Sequence, residues 1–257
     1  GAATGLSTSQ LDGATDVLVV AGLFDSVAGI ASSNLAIWTG KRWFAWPEGE
    51  GGVDSSGIIW DIATFDGSIY VAGSFAEVGS SNAPGTSTNG LARWDPSVLE
   101  WEAIHQGLEI DDDFFEVRSL FVTSGGLDLY CAGRIVDLDA GCSFGECFGA
   151  VYKLNNSGTE WIRVGGQFDD AVQDVYVIDA KANGRRVVAA GLFLFDDNAE
   201  ENAGLAWFDT AATPNPRWVP FHCDEEAPGA YNDILPLNPA ALDVDEVAVA
   251  GPRSFDG

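Results

Sequence analysis

Short apolar runs recur along the chain, and each breaks at a glycine. They read Val20-Ala21-Gly22-Leu23-Phe24, Val71-Ala72-Gly73-Ser74-Phe75, Cys131-Ala132-Gly133-Arg134-Ile135, Ala189-Ala190-Gly191-Leu192-Phe193 and Val249-Ala250-Gly251-Pro252-Arg253. Successive glycines lie 51, 60, 58 and 60 residues apart. A second series, Trp43, Trp101, Trp161 and Trp218, keeps step at intervals of 58, 60 and 57. Two independent landmarks at one period mean that one supersecondary unit is copied along the chain.

The second copy shows the unit best. Ile58–Phe65 reads as a strand closed by the hairpin signal Asp66-Gly67. Ile69-Tyr70-Val71-Ala72-Gly73 is a second strand, apolar almost throughout, as expected where both faces are covered. Gly90–Trp94 makes a third strand, Asp95-Pro96-Ser97 a turn, and Trp101–Ile104 an alternating fourth strand. Third strands recur at Leu35–Trp38, Ala150–Lys153 and Leu205–Phe208, and fourth strands at Trp43–Trp46, Trp161–Val164 and Trp218–Phe221. With four short strands per unit and no helical period, the expected fold is all-β, a β-propeller of four-stranded antiparallel blades.

On this reading the whole chain, 1–257, is one propeller domain. Its blades span about 1–46, 57–104, 115–164 and 171–221, with a partial fifth over 231–257. Residues 1–11 offer the first blade only a poorly patterned first strand. A ring needs a whole number of blades, so a piece of a larger ring is expected. The absence of any Met also fits a processed or partial polypeptide. The repeated Trp is expected to wedge neighbouring blades at a constant angle, and the repeated Gly to let backbone pass closely.

The pattern Val-Ala-Gly-x-Phe, Leu-Ala-x-Trp-Asp and Trp resembles the extracellular kelch and galactose-oxidase-like propellers. It is most similar to the repeat type of fungal cortical polarity-marker proteins and bacterial surface proteins. The resemblance covers nearly the whole chain but rests on scaffold residues, so it implies fold and an extracellular setting without implying an activity. A galactose-oxidase copper site would need His and Tyr ligands, and the two histidines, His105 and His222, fall in different loops.

Charge narrows the partners. There are 39 Asp and Glu against 12 Lys and Arg, a net charge of −27. Nucleic acid and anionic membrane are poor partners for that surface, since contact would add repulsion instead of releasing counterions. No apolar run is long enough to span a bilayer, so membrane insertion is not expected. Lysine is confined to Lys41, Lys153 and Lys181, a bias compatible with a halophilic or marine source. Cys142 and Cys147, five apart in a loop, are expected to close a local disulfide, a metal site being the alternative. The pairing of Cys131 and Cys223 is open. The sequon Asn155-Asn156-Ser157 would accept a glycan in a secretory pathway, in keeping with a secreted or cell-surface protein.

In such a blade the loop between strands two and three shares a rim with the connection to the next blade, and the hairpins occupy the opposite rim. More than half of the carboxylates fall on the first rim, whereas the hairpin turns hold Lys41, Arg42, Lys181, Arg185 and Arg186. Calcium is the cofactor such a rim would take, at Asp111-Asp112-Asp113 or at Asp196-Asp197 with Glu200 and Glu201, although neither follows the EF-hand pattern. First strands place Asp61, Ser119, Asp174 and Asp233 at matching positions. These would either bond a neighbouring blade's backbone or form a ring of oxygens for a cation or for acid–base chemistry. No catalytic triad, phosphate loop or imidazole metal site is visible. The expectation is a non-catalytic adhesion, scaffold or assembly module. Its partners are other extracellular proteins or copies of itself, with head-to-tail filaments one outcome. A calcium-dependent glycan-binding or glycan-processing propeller is the alternative.

Overall fold

The computed structural model describes residues 1–9, 17–46, 52–53, 57–79, 86–104, 106, 108, 116–123, 125–135, 149–166, 168, 172–180, 184–191, 193, 204–209, 217–220, 233–235 and 248–250. Among them the regular structure is strand, with no helix. Four four-stranded antiparallel sheets carry the fold, and in each the spatial order is the chain order. The first sheet joins Ala2–Ser9, Val17–Leu23, Leu35–Trp38 and Trp43–Ala45. The second joins Ile58–Phe65, Ser68–Ser74, Leu91–Asp95 and Glu100–Ala103. Glu116–Val122, Leu129–Arg134, Gly149–Leu154 and Trp161–Arg163 make the third. Val172–Ala180, Gly184–Gly191, Leu205–Asp209 and Arg217–Pro220 make the fourth. A further pair, Asp233–Leu235 with Ala248–Ala250, repeats the first two strands of a unit. The first strand of the chain, poorly patterned in sequence, is a full partner of Val17–Leu23.

Consecutive sheets stack face to face, with their first strands side by side in chain order. The apolar second strand is apolar because it serves two cores. Ile69 and Val71 pack against the first sheet with Val19, Leu35 and Ile37. Tyr70 and Ala72, one residue out of phase, pack against the third sheet with Val117, Leu129 and Tyr152. Tyr130, Ala132 and Val151 repeat this against Val187, Ala189 and Phe208 of the fourth sheet. An interior sheet thus buries both faces, which removes the polar–apolar alternation a half-exposed sheet would show.

The repeated glycine marks a repeated irregularity. Each first strand slips register by one residue opposite it: between Ala3 and Gly5, Ile59 and Asp61, Val117 and Ser119, and Val172 and Asp174. The bulged residues are Thr4, Trp60, Arg118 and Gln173, and each bulge brings first-strand backbone onto the glycine. A Cβ at Gly22, Gly73 or Gly133 would collide with the carbonyl oxygen of Ala2, Ile58 or Glu116 respectively. The glycine N–H in turn donates to the residue that opens the third strand, Gly22 to Asn34 at 3.0 Å, Gly73 to Gly90 at 2.9 Å and Gly191 to Gly204 at 2.8 Å. Asn34, Gly90 and Gly204 adopt left-handed backbone (φ 64, 77 and 72), which Gly and Asn tolerate. The aromatic two residues after the glycine closes the loop base, Asn34 N–H donating to Phe24 O at 2.8 Å and Gly90 N–H to Phe75 O at 2.8 Å.

The tryptophan series does more than fill space. Trp161 Nε1 donates to Ile104 O in the preceding unit at 2.6 Å, and Trp218 Nε1 to Val164 O at 3.0 Å. Each indole therefore ties a fourth strand back to the end of the one before it. Trp101 packs in an aromatic cluster, 5.6 Å from Trp46 and 5.4 Å from Trp94 between ring centroids. Trp43, in the first sheet, lies 5.2 Å from Trp38. Cys131 is a buried free thiol between the second and third sheets, which answers the question of its pairing. Cys142, Cys147 and Cys223 lie outside the described residues.

Candidate functional site

The registers divide the loops between two rims. Ala2 pairs with Leu23, Ala21 with Leu35, and Ala36 with Ala45. The loops between second and third strands and the connections between sheets therefore emerge at one end, and the hairpins at the other. Of the carboxylates expected at the first end, Asp25, Glu77 and Glu116 fall among the described residues. Asp25 and Glu77 are exposed, and Asp25 Oδ1 accepts a hydrogen bond from Ser26 Oγ at 3.2 Å. The calcium candidates Asp111, Asp112, Asp113, Asp196, Asp197, Glu200 and Glu201 all lie outside the described residues, as does the Cys142–Cys147 loop. Among the described residues no group of three or more His, Cys, Asp or Glu is placed to hold a metal ion.

The hairpin end pairs its charges. Lys153 Nζ meets Asp128 Oδ1 at 2.8 Å, and Arg93 Nε donates to Glu102 Oε2 at 3.1 Å. Arg93 also reaches Tyr70, whose phenol pKa is pushed up by burial and drawn down in part by that guanidinium. Arg42 lies over the Phe44 ring at 4.4 Å, and Lys41 is exposed. Arg185 and Arg186 correct an expectation: they belong to the second strand of the fourth sheet, paired with Asp179 and Ile178, and not to the turn. The residue patterns could not separate the two, because a long hairpin extends its ladder right up to the tip. Asp95 holds its turn by accepting from Ser97 Oγ at 2.6 Å and Ser97 N at 2.8 Å, and these bonds lower its carboxyl pKa. The sequon residue Asn155 opens the hairpin at 155–160. Its Oδ1 accepts from Ser157 Oγ at 2.9 Å and Thr159 N at 3.0 Å, while Asn156 and Ser157 are exposed.

Between the rims run the first strands. The registers align the expected series, Asp61 opposite Ala72, Ser119 opposite Ala132, Asp174 opposite Ala190 and Asp233 opposite Ala250. Asp61 is engaged with backbone: Oδ1 accepts from Ile62 N at 2.7 Å, and Oδ2 from Leu120 N of the next sheet at 2.7 Å. Charge-assisted bonds to two N–H groups make this carboxylate a clamp between sheets. Thr4 acts likewise from the first sheet, its hydroxyl donating to Ile59 O. Ser119 is buried at the equivalent position.

Two of the bulged residues, Trp60 and Arg118, form a group that sequence reasoning missed. Arg118 Cζ stands 4.5 Å from the centre of the Trp60 ring, and Arg118 Nε donates to Glu116 Oε2 at 2.8 Å. The stack and the ion pair hold a cation, an aromatic face and a carboxylate together along neighbouring first strands. The only sequence signal is positional: Trp60, Arg118 and Gln173 each immediately precede a member of the Asp61 series, whereas Thr4 precedes Gly5.

No protein-family model matches the chain, and no curated protein does. Among solved structures, it is similar to the extracellular domain of a hybrid two-component system from B. thetaiotaomicron, at 13% identity and a TM-score of 0.52. That match covers 90% of this chain and 24% of the other, so this chain spans about a quarter of its length. A protein of unknown function from Dyadobacter fermentans matches at 16% identity and a TM-score of 0.40, over 89% of this chain and 66% of that one. A chain of the mitotic checkpoint complex matches at 12% identity and a TM-score of 0.32, over 95% and 82%. Likeness at these identities concerns fold alone, and the first structure is the one that carries it.

Proposed function

We propose that the four sheets are blades of an extracellular, kelch-like β-propeller. On this proposal the chain is a non-catalytic structural module of a secreted or surface protein. It associates through its acidic rim with other extracellular proteins or with copies of itself. The observation that carries this reading is the division of loops between two ends. On this proposal more than half of the 39 carboxylates fall where the second-to-third loops and the inter-sheet connections emerge. The hairpin end is mixed in charge, with Lys153–Asp128 and Arg93–Glu102 paired and Lys41, Arg42, Asp66, Glu100 and Glu160 exposed. Face-to-face stacking with first strands side by side supports the propeller. The engagement of Asp61 with two backbone N–H groups supports a structural use of first-strand carboxylates.

An acidic rim recognises cationic surfaces and steers them at long range, with strong salt dependence. Sedimentation of the protein with polylysine as the cationic probe tests the reading. Association is expected at low salt, weaker at high salt, and weaker again in the double variant Asp25→Asn, Glu77→Gln. Binding that ignores both salt and the substitutions refutes it. Melting in excess calcium against chelator tests the cofactor expectation, a higher melting temperature with calcium being the supporting result.

A further inference from the structure

Each first strand is the edge of its sheet, and its bulge sets one side chain on that edge. Thr4, Trp60 and Arg118 hold this position on three consecutive first strands, which lie side by side. The row is open to solvent. Thr4 is exposed, Trp60 is half-buried, and Arg118 and Glu116 keep 25% and 29% of their side chains exposed. Arg118 stands over the Trp60 ring at 4.5 Å and directs both Nε and Nη2 to a single oxygen of Glu116, Oε2. Among the described residues Arg118 Nη1 and Glu116 Oε1 are left without partners. Trp60 Nε1 is buried and has no acceptor, and a buried donor without an acceptor is uncommon enough to need a cause. On the far side of Trp60 the row continues with Thr4, a small side chain whose hydroxyl donates to Ile59 O, so it lays no bulky cover on the indole there.

We propose that Trp60, Arg118 and Glu116 form a binding site for a neutral saccharide. A sugar hydroxyl both donates and accepts, and the ion pair turns one group of each kind outward, Nη1 to donate and Oε1 to accept. Neighbouring hydroxyls of one pyranose ring can therefore be read together. The stack on Trp60 holds the guanidinium plane and the shared Oε2 holds the carboxylate, so little side-chain freedom is lost when ligand arrives. The half-buried indole supplies carbon surface for the C–H face of the ring. A hydroxyl oxygen at the indole edge, reached by a small side-chain shift, gives Nε1 the acceptor it lacks. A few fixed polar groups beside an aromatic surface are what a small-molecule site needs. Anionic ligands are disfavoured twice, because the guanidinium already has its carboxylate and the net charge of −27 repels them. Arg134 stands opposite Glu116 in the register and makes contacts of its own. A cationic ligand finds one face of the Trp60 ring already taken by Arg118. The site differs from a calcium-dependent glycan site in using no metal ion, and from the acidic rim in using no loop carboxylate.

An array of neutral and acidic oligosaccharides, probed with the whole chain, tests the site. Retention on at least one neutral glycan is expected, unchanged by chelator and by high salt. Titration with that saccharide in solution then weakens about tenfold in Arg118→Lys, which keeps the charge and loses the planar fork, and about tenfold in Glu116→Ala. Trp60→Ala weakens it at least as much, and Lys41→Ala at the hairpin end leaves it as in the wild type. A merely structural role for the cluster would not produce protection. Bound saccharide should shield Trp60 from oxidation by N-bromosuccinimide, read by peptide mass, while the half-buried Trp38 reacts at an unchanged rate. Where a variant loses its circular dichroism spectrum, this protection in the wild type decides alone. Retention of no neutral glycan, retention of acidic glycans only, loss of binding in chelator, or binding that leaves Trp60 unprotected each overturns the proposal. None of these outcomes bears on the acidic rim, which sedimentation with polylysine tests separately.

Discussion

Replacing Gly73 by alanine adds one methyl group at a point where first-strand backbone already lies against the second strand. That methyl carbon would run into the carbonyl oxygen of Ile58 and stand 2.9 Å from Phe75 Cδ1. The carbonyl cannot step aside alone, because Ile58 pairs with Ser74 and Ile59 with Gly73, and Ile59 is fully buried against the first sheet. Relief requires the first strand to lift, which opens the core on its far side. We place the loss at about 3 kcal/mol, the upper end for overpacking, since the obstacle is backbone. Gly67 supplies the control. It sits in the Asp66-Gly67 turn at φ 76 with nothing within 4 Å of an added Cβ, so Gly67→Ala is strained only by conformation. That costs about 1–2 kcal/mol. For a domain of this size each kcal/mol moves the melting temperature by about 2–4 °C. Melting followed by circular dichroism should therefore fall about 6–12 °C for Gly73→Ala and about 2–8 °C for Gly67→Ala. If Gly73→Ala melts at or above Gly67→Ala, the close approach is not what the glycine is for, and the account of the repeated bulge fails with it.

Asp61→Asn keeps the shape but offers one acceptor where two N–H groups were held. It should lower stability by about 1–2 kcal/mol in urea unfolding, while Asp66→Asn in the exposed turn leaves the midpoint nearly unchanged. Trp161→Phe removes the donor to Ile104 O and should destabilise by about 1–3 kcal/mol, whereas Trp43→Phe should cost well under half of that; equal losses would deny the indole tie its role. Burial pushes the Cys131 thiol well above its ordinary pKa, so the neutral form is favoured in the fold. The associated stability is present below the unfolded thiol's pKa and is lost as pH rises above it. Alkylation at mildly alkaline pH, read by peptide mass, should accordingly modify Cys131 only after denaturation.

The strand pattern was readable because apolar runs and glycines recur at one period, and the structure places sheets where they fall. The reading of Val71-Ala72-Gly73 as doubly buried also holds, since Val71 and Ala72 enter different cores. What the sequence hides is register. A bulge at Trp60 or Arg118 has no composition of its own, because it is a relation between a first strand and the glycine opposite. Likewise Asp61 stands out only as one polar residue in an apolar run, and its partner, the Leu120 N–H, belongs to a strand 59 residues later. The first strand of the chain is only weakly legible within residues 1–11, because Ala2–Ser9 carries few large apolar residues, its pairing with Val17–Leu23 being made by backbone. Of the carboxylates expected at the loop end, Asp25, Glu77 and Glu116 fall among the described residues. The acidic clusters and the Cys142–Cys147 loop lie outside the described residues.

The indole tie gives the stack a direction. Every donor sits in the later unit and every acceptor in the earlier one, Trp161 reaching back to Ile104 and Trp218 to Val164. Removing units from the two ends is therefore not equivalent. A chain shortened at its later end exposes carbonyl oxygens, which water satisfies readily. A chain shortened at its earlier end exposes orphaned indoles. Loss of a unit is thus tolerated more easily at the later end than at the earlier one.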